Sequence, residues 1–153
     1  MTFAQSAVLQ QLRDDVASAV GDVGRFVRDQ RPKHVERKSG MPSAASQVVT
    51  DVDIEAERRL LAHLRALLPT DVAGVLSEEA DDDGSRFVRR VFWCVDPLDG
   101  TLPYVEGSAG YAVSAALVEK EGRPLVGAVS LPVEDLVFAA AEGLGATRNG
   151  TTF

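Results

Sequence analysis

The sequence has one cysteine, one tryptophan and no surplus of positive charge, and each shortage closes off a class of function. A lone Cys94 inside an apolar run reads as a buried thiol in a reducing compartment rather than half of a disulfide. No apolar run approaches the ~20 residues of a membrane span, and the first residues lack a basic-then-apolar leader pattern. The expectation is therefore a cytoplasmic chain with no membrane partner. A net charge of −7 disfavours nucleic acid as a partner and sets the overall field against any anionic ligand. No serine has a histidine motif beside it, so no covalent nucleophile stands out. Internal repeats, low-complexity tracts and interdomain linkers are also missing. What remains is 153 residues, 45% hydrophobic and 25% charged, one domain's worth of chain. Folding such a chain buries roughly two thirds of its unfolded surface.

Residues 2–30 carry apolar side chains at helical spacing, from Val8, Leu9 and Leu12 to Phe26 and Val27, opposite a face of mixed charge. That pattern predicts an amphipathic helix used for packing. Residues 31–47 hold Pro32, Gly40 and Pro42 and read as a loop, basic through Lys33, Arg37 and Lys38. A second helix over residues 52–68 has a stripe of Ile54, Leu60, Leu61, Leu64, Leu67 and Leu68, and Pro69 follows it. Asp51, Asp53 and Glu55 crowd its first turn, where the helix dipole favours negative charge. Neither His34 nor His63 has a partner in view. Strands are expected at residues 72–76 and 91–95, then at 112–118, 125–131 and 136–141 with turns between them that make antiparallel hairpins. Asp81, Asp82 and Asp83 read as a solvated acidic loop. The fold class is α+β, with two amphipathic helices on one face of a mostly antiparallel sheet.

The chemistry concentrates at Asp96-Pro97-Leu98-Asp99-Gly100-Thr101. An apolar strand ends in two carboxylates spaced i and i+3. Pro97 cannot donate to a ladder, so the strand should stop at Asp96, and Gly100 supplies turn chemistry. Paired carboxylates on a tight turn repel each other, and a hard divalent cation such as Mg²⁺ removes that repulsion. Thr101 is placed to cap a short helix starting at Leu102, aiming the N–H groups of Gly100 and Thr101 at the same space. The plain alternative, that Asp96 and Asp99 are ordinary turn formers, stays open at this point.

Asp96 to Thr101 resembles the signature of the inositol monophosphatase superfamily, the Mg²⁺-dependent, lithium-sensitive phosphatases that include the 3′(2′),5′-bisphosphate nucleotidases. Two further segments match in order, Val48 to Asp53 and Ser77-Glu78-Glu79, and the similarity runs from about Lys38 to Gly150. The resemblance implies that residues 1–153 form a single N-terminal domain, the first half of an αβαβα sandwich with the C-terminal half absent. It implies metal ligation by Glu78, Asp96, the carbonyl of Leu98 and Asp99, with Glu79 behind them. By the same resemblance Glu78 helps position the attacking water, and Asp53 orients Thr101, which handles that water's proton. Gly100 and Thr101 would hold substrate phosphate, and Lys38 is the match for a lysine that reaches over the site. The reaction implied is hydrolysis of a small phosphorylated metabolite by water attack assisted by two or three metal ions, with a homodimer one assembly open to it. A Trp-Asp motif, which completes the second metal site in the family's other half, is missing here because Cys94 follows the lone Trp93. Two other readings therefore stand beside the phosphatase: a metal- or phosphate-binding fragment without turnover, and an interaction scaffold. Leu102-Pro103-Tyr104 matches neither the inositol phosphatase pattern nor that of the nucleotidases, so the substrate is left open.

Overall fold

A computed structural model describes residues 3–37 and 48–153. The first helix, α1 (Phe3–Asp29), is followed by a short antiparallel pair, β1 (Val35–Arg37) and β2 (Val48–Thr50), in register Val35 to Thr50. Helix α2 (Asp51–Leu67) leads to β3 (Ala73–Ser77), a one-turn helix α3 (Ser85–Val88) and the long strand β4 (Val91–Asp99). Helix α4 (Thr101–Val105) and strands β5 (Ala112–Glu119), β6 (Pro124–Leu131), β7 (Leu136–Ala141), β8 (Gly145–Arg148) and β9 (Thr151–Thr152) complete the chain. Strands β3 to β9 form one seven-stranded sheet in sequence order. Among the described residues only β3 and β4 pair in parallel, which requires a crossover of a dozen or more residues. Residues 78–90 provide it.

Side chains alternate across a strand, and this alternation divides the sheet into two unlike faces. Toward the helices point Trp93 and Val95 of β4, Val113, Ala115 and Leu117 of β5, and Val126 and Ala128 of β6, all buried. Val16, Val20, Val23 and Val27 of α1 and Ala56, Leu60 and Leu64 of α2 meet them. Gly24 allows α1 to lie close, because a Cβ there would come within 2.4 Å of Ser130 Oγ on β6. The opposite face is lined by Cys94, Ser114, Ala116, Val129, Phe138 and Ala140 around a shallow hollow of about 460 Å³. Among the described residues no helix is long and apolar enough to cross a membrane.

The expected two-helices-on-a-sheet arrangement is present, with several local corrections. Cys94 is exposed, not buried: its neighbours Trp93 and Val95 take the helix-covered side, and alternation turns the thiol to the open face. Strand β4 does not stop at Asp96 but continues to Asp99. Strand β1 lies within what reads as loop. Helix α3 follows the acidic run because Asp82 and Asp83 accept the N–H groups of Gly84 and Ser85 at 3.0 and 2.8 Å, while Asp82 also pairs with Arg86. Asn149-Gly150 is a hairpin turn, both residues at positive φ, that joins β8 to β9.

Candidate active site

The parallel register places Ser77 beside Val95, and the Glu78 N–H donates to the Val95 carbonyl at 3.3 Å. Glu78 and Asp96 are each the next residue along, so two carboxylates stand side by side at the carboxyl ends of neighbouring parallel strands. Beyond Asp96 the pairing with β5 slips: Asp96 lies opposite Ser114, yet Asp99 lies opposite Ala112. Three steps along β4 match two along β5, which is a bulge. Pro97 sits inside it, where no ladder donor is needed, and this is why the proline does not end the strand. The Leu98 N–H turns back to Asp96 Oδ1 at 3.2 Å while the Leu98 side chain is buried. Gly100 makes the corner with φ +88°, and a Cβ at that position would sit 2.5 Å from the Gly110 carbonyl oxygen. Both constraints demand glycine.

Gly100 is the residue that caps α4, and Thr101 is the first residue inside it, one position earlier than expected. The Thr101 hydroxyl is not used as a cap. Its Oγ1 lies 2.8 Å from Asp53 Oδ1 and 3.1 Å from the Leu98 carbonyl oxygen. With one proton to give, it donates to the nearer, charged acceptor. Asp53 is completely buried in the first turn of α2. Its other oxygen, Oδ2, accepts the Thr50 N–H at 2.8 Å and also the Thr50 hydroxyl. Thr50 Oγ1 in turn accepts from the N–H groups of Val52 and Asp53, closing a capping box at the start of the helix. The expected link between Asp53 and Thr101, 48 positions apart in sequence, is present as a buried hydrogen bond.

The carboxylates behave differently. Asp96 is half-buried, and its carboxyl is pushed up to about 7, first by burial, then by Glu78 and Asp99, with Glu79 adding to them. Glu78 and Asp99 are exposed. Among the described residues no three aspartate, glutamate, histidine or cysteine side chains converge tightly enough to cage a metal ion as they stand. The donor set still fits a hard divalent cation: carboxylates and a nearby carbonyl, all oxygen, with burial and then mutual repulsion pushing one carboxyl up to about 7. Lys38 lies outside the described residues. Asp51 has a structural task, its Oδ1 accepting the N–H groups of Lys33 at 3.0 Å and His34 at 3.1 Å. The His34 N–H is the largest influence holding that carboxyl below the usual carboxylate range.

Sequence reasoning passed over Thr50, although Thr50-x-x-Asp53 ahead of an apolar stripe has the spacing of a capping box. It also passed over Gly110 and Tyr111, whose backbone walls in Gly100. No local signal pointed to that contact.

The family model for the inositol monophosphatase family matches residues 8–153. The chain is 36% identical over 125 residues to the Nus factor SuhB of Xylella fastidiosa, covering 82% of this chain and 42% of that protein. It is 35% identical over 148 residues to the inositol-1-monophosphatase of Mycobacterium leprae, covering 90% and 50%. The 3′(2′),5′-bisphosphate nucleotidase CysQ of Escherichia coli is 40% identical over 103 residues, with 65% and 40% covered. Among solved structures, an IMPase of Thermotoga maritima superposes with a TM-score of 0.77 at 29% identity, over 92% of this chain and 52% of that one. An IMPase/NADP phosphatase complexed with Mg²⁺ and phosphate shares the fold, with a TM-score of 0.75 at 23% identity. The chain spans about half the length of the curated relatives it matches.

Proposed function

Because the chain belongs to the inositol monophosphatase family, we propose that it carries the metal- and phosphate-binding half of a Mg²⁺-dependent phosphate monoester hydrolase. One observation carries this reading: a buried Asp53–Thr101 hydrogen bond ends beside the strand ends that bear Glu78, Asp96 and Asp99. Glu78, Asp96, Asp99 and the Leu98 carbonyl would hold the metal. When bound, Mg²⁺ would acidify an attacking water and take up charge on the phosphate oxygens. Thr101 has committed its proton to Asp53, so it meets a water only as an acceptor and orients that water's proton toward itself. The N–H groups of Gly100 and Thr101, at the corner before α4, would hold phosphate oxygens. The substrate class is a small phosphorylated metabolite, with inositol phosphates and 3′,5′-bisphosphate nucleotides the first to try on the strength of the relatives' names.

A second reading follows from the half-length match: a module that binds metal or phosphate without turnover. One assay separates the two. The chain is incubated with Mg²⁺ and inositol 1-phosphate, adenosine 3′,5′-bisphosphate or fructose 1,6-bisphosphate, and phosphate release is measured alongside the melting temperature. Release from at least one substrate, abolished by chelation, is the expected result. Stabilisation by Mg²⁺ without release favours the binding module. A melting temperature that ignores Mg²⁺ in both this chain and Asp99→Asn overturns both.

A further inference from the structure

We propose that Thr50 is a positioning residue for this site, acting through Asp53 on the direction in which the Thr101 hydroxyl gives its proton. The inference rests on the phosphatase reading for its kinetic consequence, but its structural content stands without it.

Thr101 has two acceptors within reach, Asp53 Oδ1 at 2.8 Å and the Leu98 carbonyl at 3.1 Å. The choice matters. Donation to Asp53 leaves the Leu98 oxygen's lone pairs for a cation and turns the lone pairs of Thr101 away from the carboxylate. Donation to Leu98 consumes one of those lone pairs and re-aims the hydroxyl. What biases the choice is how firmly the Asp53 carboxylate is held in one orientation. Oδ2 is held by two donors from a single residue, the Thr50 N–H at 2.8 Å and the Thr50 hydroxyl. With Oδ2 saturated in this way, Oδ1 is the oxygen left to face Thr101. Thr50 is 2% exposed and Asp53 is 0% exposed, so no solvent competes for either oxygen. The same Thr50 oxygen accepts from Val52 N–H at 3.1 Å, which is ordinary helix capping. Capping uses the lone pairs of the hydroxyl and positioning uses its proton, so the two roles separate chemically.

Thr50→Ser keeps both the lone pairs and the proton. Thr50→Asn keeps a capping oxygen of comparable quality and moves the side-chain donor from that oxygen to a separate amide nitrogen. Thr50→Val keeps neither. The first readout needs no turnover: exchange of the Thr101 hydroxyl proton with water, followed by NMR in the metal-free chain. The expected pattern is slow exchange in the native chain and in Thr50→Ser, and exchange faster by about 10-fold in Thr50→Asn, the decade that losing one hydrogen bond to a charged group gives. Slow exchange in Thr50→Asn equal to that of the native chain would mean that a proton on the capping oxygen itself is not needed, and overturns the proposal. Fast exchange in Thr50→Ser overturns it equally. Should the Asn and Val variants fail to fold, the native chain still decides: the Thr50 hydroxyl must itself give a protected proton signal adjacent to Asp53, and its absence sinks the idea. The second readout is kinetic. Under Mg²⁺, Thr50→Asn lowers kcat by about 10-fold with KM unchanged, and Thr50→Ser recovers it. If no variant and no native chain releases phosphate, the functional reading has failed while the exchange pattern remains to judge Thr50.

Discussion

The two halves of the site are built on opposite terms. Thr50, Asp53 and Thr101 form a buried set in which both carboxylate oxygens are occupied and each hydroxyl proton has a receiver. Glu78, Asp96 and Asp99 form a set in which two members are exposed and the third is pushed up to about 7, first by burial and then by the charges of the other two. The first half is finished by the chain itself, while the second is left with unbalanced charge that, on the proposed reading, a cation would complete. The distinction follows from where the residues sit. Asp53 lies under the sheet end, inside the helix layer, where an unpaired charge would be very costly. The strand-end carboxylates lie at the rim, where water tolerates them singly but their mutual repulsion persists.

The sharpest way to break the contrast is to remove the anchor of the finished half. Asp53→Ala takes the acceptor from the Thr50 hydroxyl and N–H, leaves the Thr101 hydroxyl only the more distant Leu98 carbonyl, and dismantles the capping box. Unfolding by urea should show a loss of about 3 kcal/mol, whether or not Mg²⁺ is present. A rim variant such as Asp99→Asn should change metal-free stability by no more than about 0.5 kcal/mol and show its effect only as a lost response to Mg²⁺. Equal losses from the two variants would mean that the halves are not distinct.

The next effect is on pH dependence. The Asp96 carboxyl has a folded-state value of about 7 against an ordinary 3.8, so the folded chain holds a proton that the unfolded chain has already released. Between those two values folding therefore carries excess bound protons, and stability falls as pH rises through the window. Because the group is only half-buried, solvent screening makes the change smaller than the shift alone would imply. Melting temperatures of the native chain and Asp96→Asn between pH 4.5 and 7.5 test it. The difference between them should grow with pH in favour of the variant, and on the proposed metal-binding reading Mg²⁺ should abolish that advantage by stabilising the ionised aspartate. A still smaller shift in the same direction is expected of Glu78→Gln, which removes the largest charge contribution but leaves the burial.

These halves also differed in how readily they could be read from the sequence. The carboxylates announced themselves because charge at the end of an apolar run is a local pattern, visible in Val95-Asp96 and Ser77-Glu78 alike. Helices α1 and α2 were legible for the same reason, their periodicity running over many turns. The finer structure depended on partners remote in sequence. Pro97 looks like a terminator until β5 is seen to absorb the extra residue in a bulge. The exclusion of any side chain at Gly100 comes from Gly110, which no neighbouring residue foretells. Asp51 looks like a dipole-favouring acid and is in fact the clasp for Lys33 and His34. Thr50 was within reach, since its spacing to Asp53 is that of a capping box, but the proton it gives to Asp53 is a tertiary matter.

The smallest effect tests whether the rim's behaviour is a matter of its charges or of the open face it adjoins. Cys94 lies two residues before Asp96 on β4 and, by strand alternation, on the same side of the sheet. Its placement in the apolar run suggested a core thiol; alternation exposes it instead, because the adjacent Trp93 and Val95 take the positions under the helices. A disulfide-forming reagent should therefore label Cys94 in the native chain without denaturant, at a rate close to that of the unfolded chain. Cys94→Ala should change stability by less than about 0.5 kcal/mol, as a surface substitution does, and leave the response to Mg²⁺ intact. A variant that altered the Mg²⁺ response would place the open face within the metal-binding half. A thiol that reacted only after unfolding would contradict the exposed placement itself.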